Sequence, residues 1–99
     1  MKVPEIKFSA KLQLYPGDAA WHYFVVPAPE SESMKELYIW PRKGFGSIPV
    51  LVTIGKTSWK TSVFPQKEGT FFLPIKKQVR VAESIVVGQS CRVTIEILN

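Results

Sequence analysis

Residues 48–65 read IPVLVTIGKTSWKTSVFP, two runs of alternating character on either side of Gly55 and Lys56. A two-residue loop of the form Gly-x is the signature of a type II′ hairpin, because glycine accepts the positive φ needed at the first central position. That turn predicts a register in which Ile54 faces Thr57, Val52 faces Trp59, Val50 faces Thr61 and Ile48 faces Val63, all on one side of a sheet. Thr53 with Ser58, Leu51 with Lys60 and Pro49 with Ser62 then share the other side. The register places Trp59 among aliphatic neighbours in the core, and Lys60 with Ser58 and Ser62 on a more polar face.

Outward from the hairpin, period two recurs. IKFSAKLQLY (6–15) sets Ile6, Phe8, Ala10, Leu12 and Leu14 on one face and Lys7, Ser9, Lys11 and Gln13 on the other, the pattern of a half-buried strand. The turn PGDA (16–19) leads into WHYFVVP (21–27), a strand expected to pair back antiparallel. SESMKELYIW (31–40) changes period: Met34, Leu37 and Tyr38 fall at i, i+3 and i+4, Ser33 and Glu36 have capping-box spacing, and Pro41 ends the helix. TFFLPI (70–75) reads as a strand. PIKKQVRVAE (74–83) reads as a short helix with Pro74 near its first position and Ile75, Val79 and Ala82 as its buried stripe. After Gly88, SCRVTIEIL (90–98) alternates Cys91, Val93, Ile95 and Ile97 with polar residues. The sum is one mainly β domain over residues 1–99, with two short helices.

Ninety-nine residues with six Phe, three Tyr and three Trp suffice for a core that buries roughly 60–65% of the unfolded surface. The longest apolar runs, YFVVPA and IPVLVTI, fall far short of the roughly 20 residues a spanning helix needs, and the N-terminus lacks a signal-peptide core. A soluble cytoplasmic chain with no membrane association is expected. Cys91 is a lone cysteine and His22 a lone histidine, so neither a disulfide nor a zinc site is expected, and no cofactor motif is present. The formal charge is +5, but residues 40–80 hold eight basic side chains against Glu68 alone, a local +7. Such asymmetry suits an anionic partner or a solubilising face.

The apparent motifs divide between chemistry and turn grammar. Gly55-Lys56-Thr57 ends like a phosphate-binding loop, yet Val50 stands where that motif needs a glycine, and a strand follows instead of a helix. Gly44-Phe45-Gly46, beside Arg42 and Lys43, suits an anion-cradling backbone nest or a loop leading into the strand at Ile48; the loop accounts for the same glycines. His22 and Asp18, each the only residue of its kind, would both be needed for a Ser-His-Asp triad, and no nucleophile elbow accompanies them. Cys91 behaves as a small buried hydrophobe. Trp40, Phe45, Trp59 and Phe64 interleave with basic residues, as single-strand binders do, but such binders need exposed rings and the hairpin register turns Trp59 inward.

RKGFGSIPVLVTIGKTSWKTSVFP (42–65), FFLPIKKQVRVAE (71–83) and VGQSCRVTIEI (87–97), together with Trp21, closely resemble DUF1905, a bacterial and archaeal domain of unknown function, over about Phe8 to Leu98. The resemblance implies a double-split β-barrel, a pseudobarrel of mixed strands with short helices, in the same broad fold as AbrB-like regulators. LPIKKQVR before a glycine turn is similar to the AbrB-like pattern as well, although Gln89 follows Gly88 where that pattern has aspartate. AbrB-like proteins bind DNA as interleaved dimers, whereas this resemblance implies one chain that completes the barrel as a monomer; kinship of fold does not carry DNA binding across.

The functional expectation is a small non-enzymatic binding or accessory domain for an anionic ligand met by Arg42, Lys43, Lys60, Lys76, Lys77 and Arg80. Sequence-tolerant nucleic-acid binding is the alternative. A hydrolase or isomerase built on His22 with Asp18 or Ser62 is the third reading.

Overall fold

The computed structural model describes residues 5–15, 17, 21–38 and 46–98. They form strands β1 (Glu5–Lys11), β2 (Gln13–Tyr15) and β3 (Trp21–Val26), helix α1 (Ala28–Leu37), strands β4 (Ile48–Ile54), β5 (Thr57–Pro65) and β6 (Phe71–Pro74), helix α2 (Lys77–Ala82) and strand β7 (Ser90–Ile97). The strands make one curled half-barrel sheet in the order β1-β7-β4-β5-β6-β3-β2. Every strand pairing among the described elements is antiparallel, where the resemblance implied mixed strands. The two ends of that order, β1 and β2, are halves of one segment interrupted only at Leu12, whose N–H donates to the Gln89 carbonyl at 3.0 Å and whose carbonyl accepts from Gly88 at 2.8 Å. The sheet curls because one stretch of chain serves both of its ends, pairing first with β7 and then with β3.

The hairpin register is the one the turn chemistry predicts, with Ile54 opposite Thr57, Val52 opposite Trp59, Val50 opposite Thr61 and Ile48 opposite Val63. Gly55 has φ +58, while Ser84 is the one non-glycine with positive φ among the described residues, so Lys56 keeps an ordinary φ as a II′ turn requires. Alternation on β1, β4 and β7 delivers Ile6, Phe8, Ile48, Val50, Val52, Ile54, Cys91, Val93, Ile95 and Ile97 to a common core. Phe24, Val26, Phe71 and Leu73 add the layer from β3 and β6. Full burial of each large side chain contributes about 1.5–3 kcal/mol.

Several expectations are corrected. Leu14 shares the inward phase yet is exposed, because β2 is a three-residue edge strand with a neighbour only on its β3 side. Helix α1 begins at Ala28 rather than at Ser31, since proline is tolerated in a first turn. Ser33 then lies inside the helix, its hydroxyl donating to the Pro29 carbonyl instead of forming a capping box. Ser31 is buried; its Oγ donates to the Val26 carbonyl at 3.0 Å and accepts from the Phe71 N–H at 3.1 Å, tying α1 to β3 and β6. Met34 is buried, with Leu37 and Tyr38 against the core as their spacing predicts; Pro41 lies outside the described residues. Pro74 ends β6 instead of opening α2, and the six-residue helix buries Val79 but exposes Ala82, with Ile85 beyond it taking the core position.

Candidate functional site

β5 is paired with β4 along Thr57–Val63 but with β6 only at Phe64↔Phe72 and Pro65↔Phe71. β6 turns instead toward β3, with Tyr23 opposite Pro74, and the Ile75 N–H donates to the His22 carbonyl at 2.9 Å. A wedge opens between β5 and the end of β6, and α2 spans it. Val79 anchors the helix in the core. At its far end Glu83 accepts a hydrogen bond from the Thr57 hydroxyl at 2.6 Å, against the turn at Gly55. Helix and hairpin are thus clamped on both sides of the gap.

The wedge is a cleft of about 330 Å³ whose lining includes Trp21 and His22 from β3, Trp59 and Lys60 from β5, and Lys76, Lys77 and Arg80 from α2 and the segment before it. Four of the six basic residues singled out in the sequence, Lys60, Lys76, Lys77 and Arg80, therefore line one cleft. Arg42 and Lys43 lie outside the described residues, as do Trp40, Gly44 and Phe45. No carboxylate is among the described lining residues, and a recess lined by one sign of charge focuses its field on the space within. Glu83, the acid beside α2, is turned to Thr57.

Arg80 Nη1 lies 3.3 Å from His22 Nε2. A guanidinium can only donate, so Nε2 accepts and the imidazole proton sits on Nδ1. His22 Nδ1 and Arg80 Nε are both buried without a hydrogen-bond partner. Two N–H donors are thus withheld from water and from the protein, an arrangement that costs about 1–3 kcal/mol for each neutral group and more for a charged one. Buried polar groups are ordinarily satisfied, so two orphans on touching side chains at one cleft mark it off from the rest of the described residues.

Trp59 corrects the register argument in part. It packs against the core as its phase requires, but it is only half-buried and its remaining surface lines the cleft, because β6 does not continue beside it. Trp21, 51% exposed, stands where the cleft meets the outer face of the sheet. There Phe72 is ringed by Trp21, Tyr23 and Phe64 at centroid separations of 6.5, 6.1 and 5.5 Å. Sequence reading missed this group because its members come from three separate strands. It missed the His22–Arg80 contact for a similar reason, the two being 58 positions apart.

For the hydrolase or isomerase reading, Asp18 lies outside the described residues, and Ser62 is opposite Pro49 rather than among the lining residues. Cys91 is buried opposite Ala10, and burial pushes its thiol above the ordinary range. Among the described residues no helix is long and apolar enough to cross a membrane.

A comparison with curated proteins gives no match. A family model described as a domain of unknown function, DUF1905, matches residues 8–95, which takes in every strand and both helices apart from the outer ends of β1 and β7. The chain, with its split half-barrel and cationic wedge, belongs to the DUF1905 family.

Proposed function

We propose that this chain is a small cytoplasmic binding module, monomeric and without catalytic activity of its own, that holds an anionic ligand in the wedge between β5 and β6. The observation that carries this reading is a cleft lined by Lys60, Lys76, Lys77 and Arg80 with no carboxylate among its described lining residues. A carboxylate or phosphate in the cleft supplies the counter-charge that its lining lacks, and hydrogen bonds to charged groups are worth about 1.5–3 kcal/mol. Lys60, Lys76 and Lys77 supply a longer-range field that salt screens over roughly 8 Å, while Arg80, held by His22, fixes position.

Thermal unfolding tests the reading. A bound anion stabilises the native state by RT ln(1 + [L]/Kd), about 2.7 kcal/mol at a hundredfold excess over Kd. Inorganic phosphate, acetate and citrate at low ionic strength are the probes, and at least one should raise the midpoint for the natural chain but not for Arg80→Met. Equal shifts in both proteins would reduce the effect to general salting and overturn the reading.

The outer aromatic group supports a second reading, sequence-tolerant binding of single-stranded nucleic acid. Trp21 belongs to both the cleft and the Phe72 cluster, so a strand with phosphates at Lys60, Lys76, Lys77 and Arg80 has rings nearby on which bases can stack. Four such contacts give a log–log salt slope of about −3 for single strands. A flat response removes this reading.

A further inference from the structure

The cleft meets β5 along its edge. Trp59, Lys60 and Thr61 are consecutive and all line it, although successive side chains of a strand point to opposite faces. A cavity reaches three successive strand residues together where it runs beside the backbone. The β5–β6 ladder reaches no further toward the hairpin turn than Phe64↔Phe72, so no strand among the described residues occupies that edge at Lys60.

Which backbone groups stand on the edge follows from β4. The Leu98 N–H donates to the Pro49 carbonyl at 3.0 Å, so that carbonyl points away from β5, and the Pro49 nitrogen has no hydrogen to give. Pro49 and Ser62 are therefore a non-hydrogen-bonded pair in the β4–β5 ladder. Such pairs alternate with bonded ones, which makes Leu51 and Lys60, two positions along, another. The Lys60 N–H and C=O are turned from β4 toward the cleft. Across the wedge, Pro74 offers no N–H and the Ile75 N–H is already given to His22, so β5 is the side left to pair.

We infer that the anion is the carboxylate of an extended peptide, which adds to β5 at Lys60 as a short extra strand and sets its carboxylate beside Arg80 and His22. This rests on the anion reading and narrows it. Main-chain pairing to an open edge gives affinity that depends little on sequence, and capture of a carboxylate fixes direction and register. An inorganic anion meets the cations but leaves the Lys60 edge unpaired; a phosphodiester chain has no alternation of donor and acceptor to match it.

The test uses the ¹⁵N-labelled full chain and five probes: N-acetyl-Ala-Val-Ala-Val with a free C-terminus, its C-terminal amide, the amide with glutamate in place of the last valine, the free acid with N-methylated backbone, and acetate. The free acid is expected to bind at least about tenfold more tightly than acetate and to slow hydrogen exchange of the Lys60 amide. Amidation and N-methylation should each remove about tenfold or more. Recovery with the glutamate amide identifies a side-chain carboxylate as sufficient, and failure to recover identifies the chain terminus; either supports a peptide carboxylate. If acetate perturbs Arg80 and His22 while no peptide binds more tightly or protects Lys60, the inference falls and the anion reading stands. If nothing perturbs the cleft, both fall. Displacement of the free acid by a single-stranded oligonucleotide at lower concentration overturns it in favour of nucleic acid.

Discussion

The two edges of β5 belong to one strand and have opposite fates. Toward β4 the strand is paired from Thr57 to Val63, in a register fixed by one glycine turn, above a dry aliphatic core. Toward β6 it is paired at two residues and then faces a cleft lined by cations, with two buried donors unmet. The same contrast separates two buried polar groups. Ser31 gives and accepts one hydrogen bond each with the backbone, whereas the Arg80–His22 pair has one contact between its members and two idle N–H groups. A fold that satisfies itself with such economy on one side leaves the other open where a ligand can complete it.

Substitutions on the closed side should unfold the molecule, and substitutions on the open side should leave it folded and empty. The largest effect is expected from Phe24→Ala, which removes a fully buried ring and should lower stability by about 3–5 kcal/mol in urea unfolding. A loss under about 1 kcal/mol would mean that the β3–β6 layer is not core. Ser31→Ala deprives the buried Val26 carbonyl of a donor and removes an acceptor from the Phe71 N–H. About 2–3 kcal/mol should be lost, seen also as faster amide exchange in α1 and β6.

Gly55→Ala sharpens the contrast from the turn. An alanine there must hold φ near +58, and its Cβ meets the Glu83 carboxylate that accepts from Thr57. About 2 kcal/mol is expected, together with loosening of α2, which amide exchange would resolve. Smallest is Arg80→Met. It keeps the aliphatic stem and removes the orphaned Nε, so stability should stay within about 1 kcal/mol, while the response to anions disappears. A loss as large as that of Phe24→Ala would make Arg80 structural and erase the difference between the two edges.

The closed side was also the legible side. Gly55 sets a conformation by itself, and from it the register of fourteen facing residues follows without knowledge of the rest of the chain. Period two then assigned Cys91, Val93, Ile95 and Ile97 inward, as found. Leu14 carried the same signal and was exposed, because periodicity gives phase but not cover, and cover depends on a neighbouring strand. Ala82 fits a helical stripe, but it is the last residue of a six-residue helix and is exposed, while Ile85 beyond it is buried. The cleft was legible only as charge. Four of its cations were marked by the local +7, but the wedge that gathers them depends on where β6 leaves β5, and the residues that distinguish it, Trp21, His22 and Arg80, meet only after folding.

The central claim is that the cations of the cleft, with Arg80 held by His22, bind an anion. The most direct measurement is the ¹H–¹⁵N signals of the Arg80 guanidinium, followed as acetate and then the free-acid peptide are added to the natural chain. Its N–H protons should move downfield and exchange more slowly with water as the anion binds, ahead of any change at Lys35, whose ammonium is paired with Glu32 on α1. Signals that stay fixed while surface lysines respond together would contradict the claim and leave the cationic lining a solvated face.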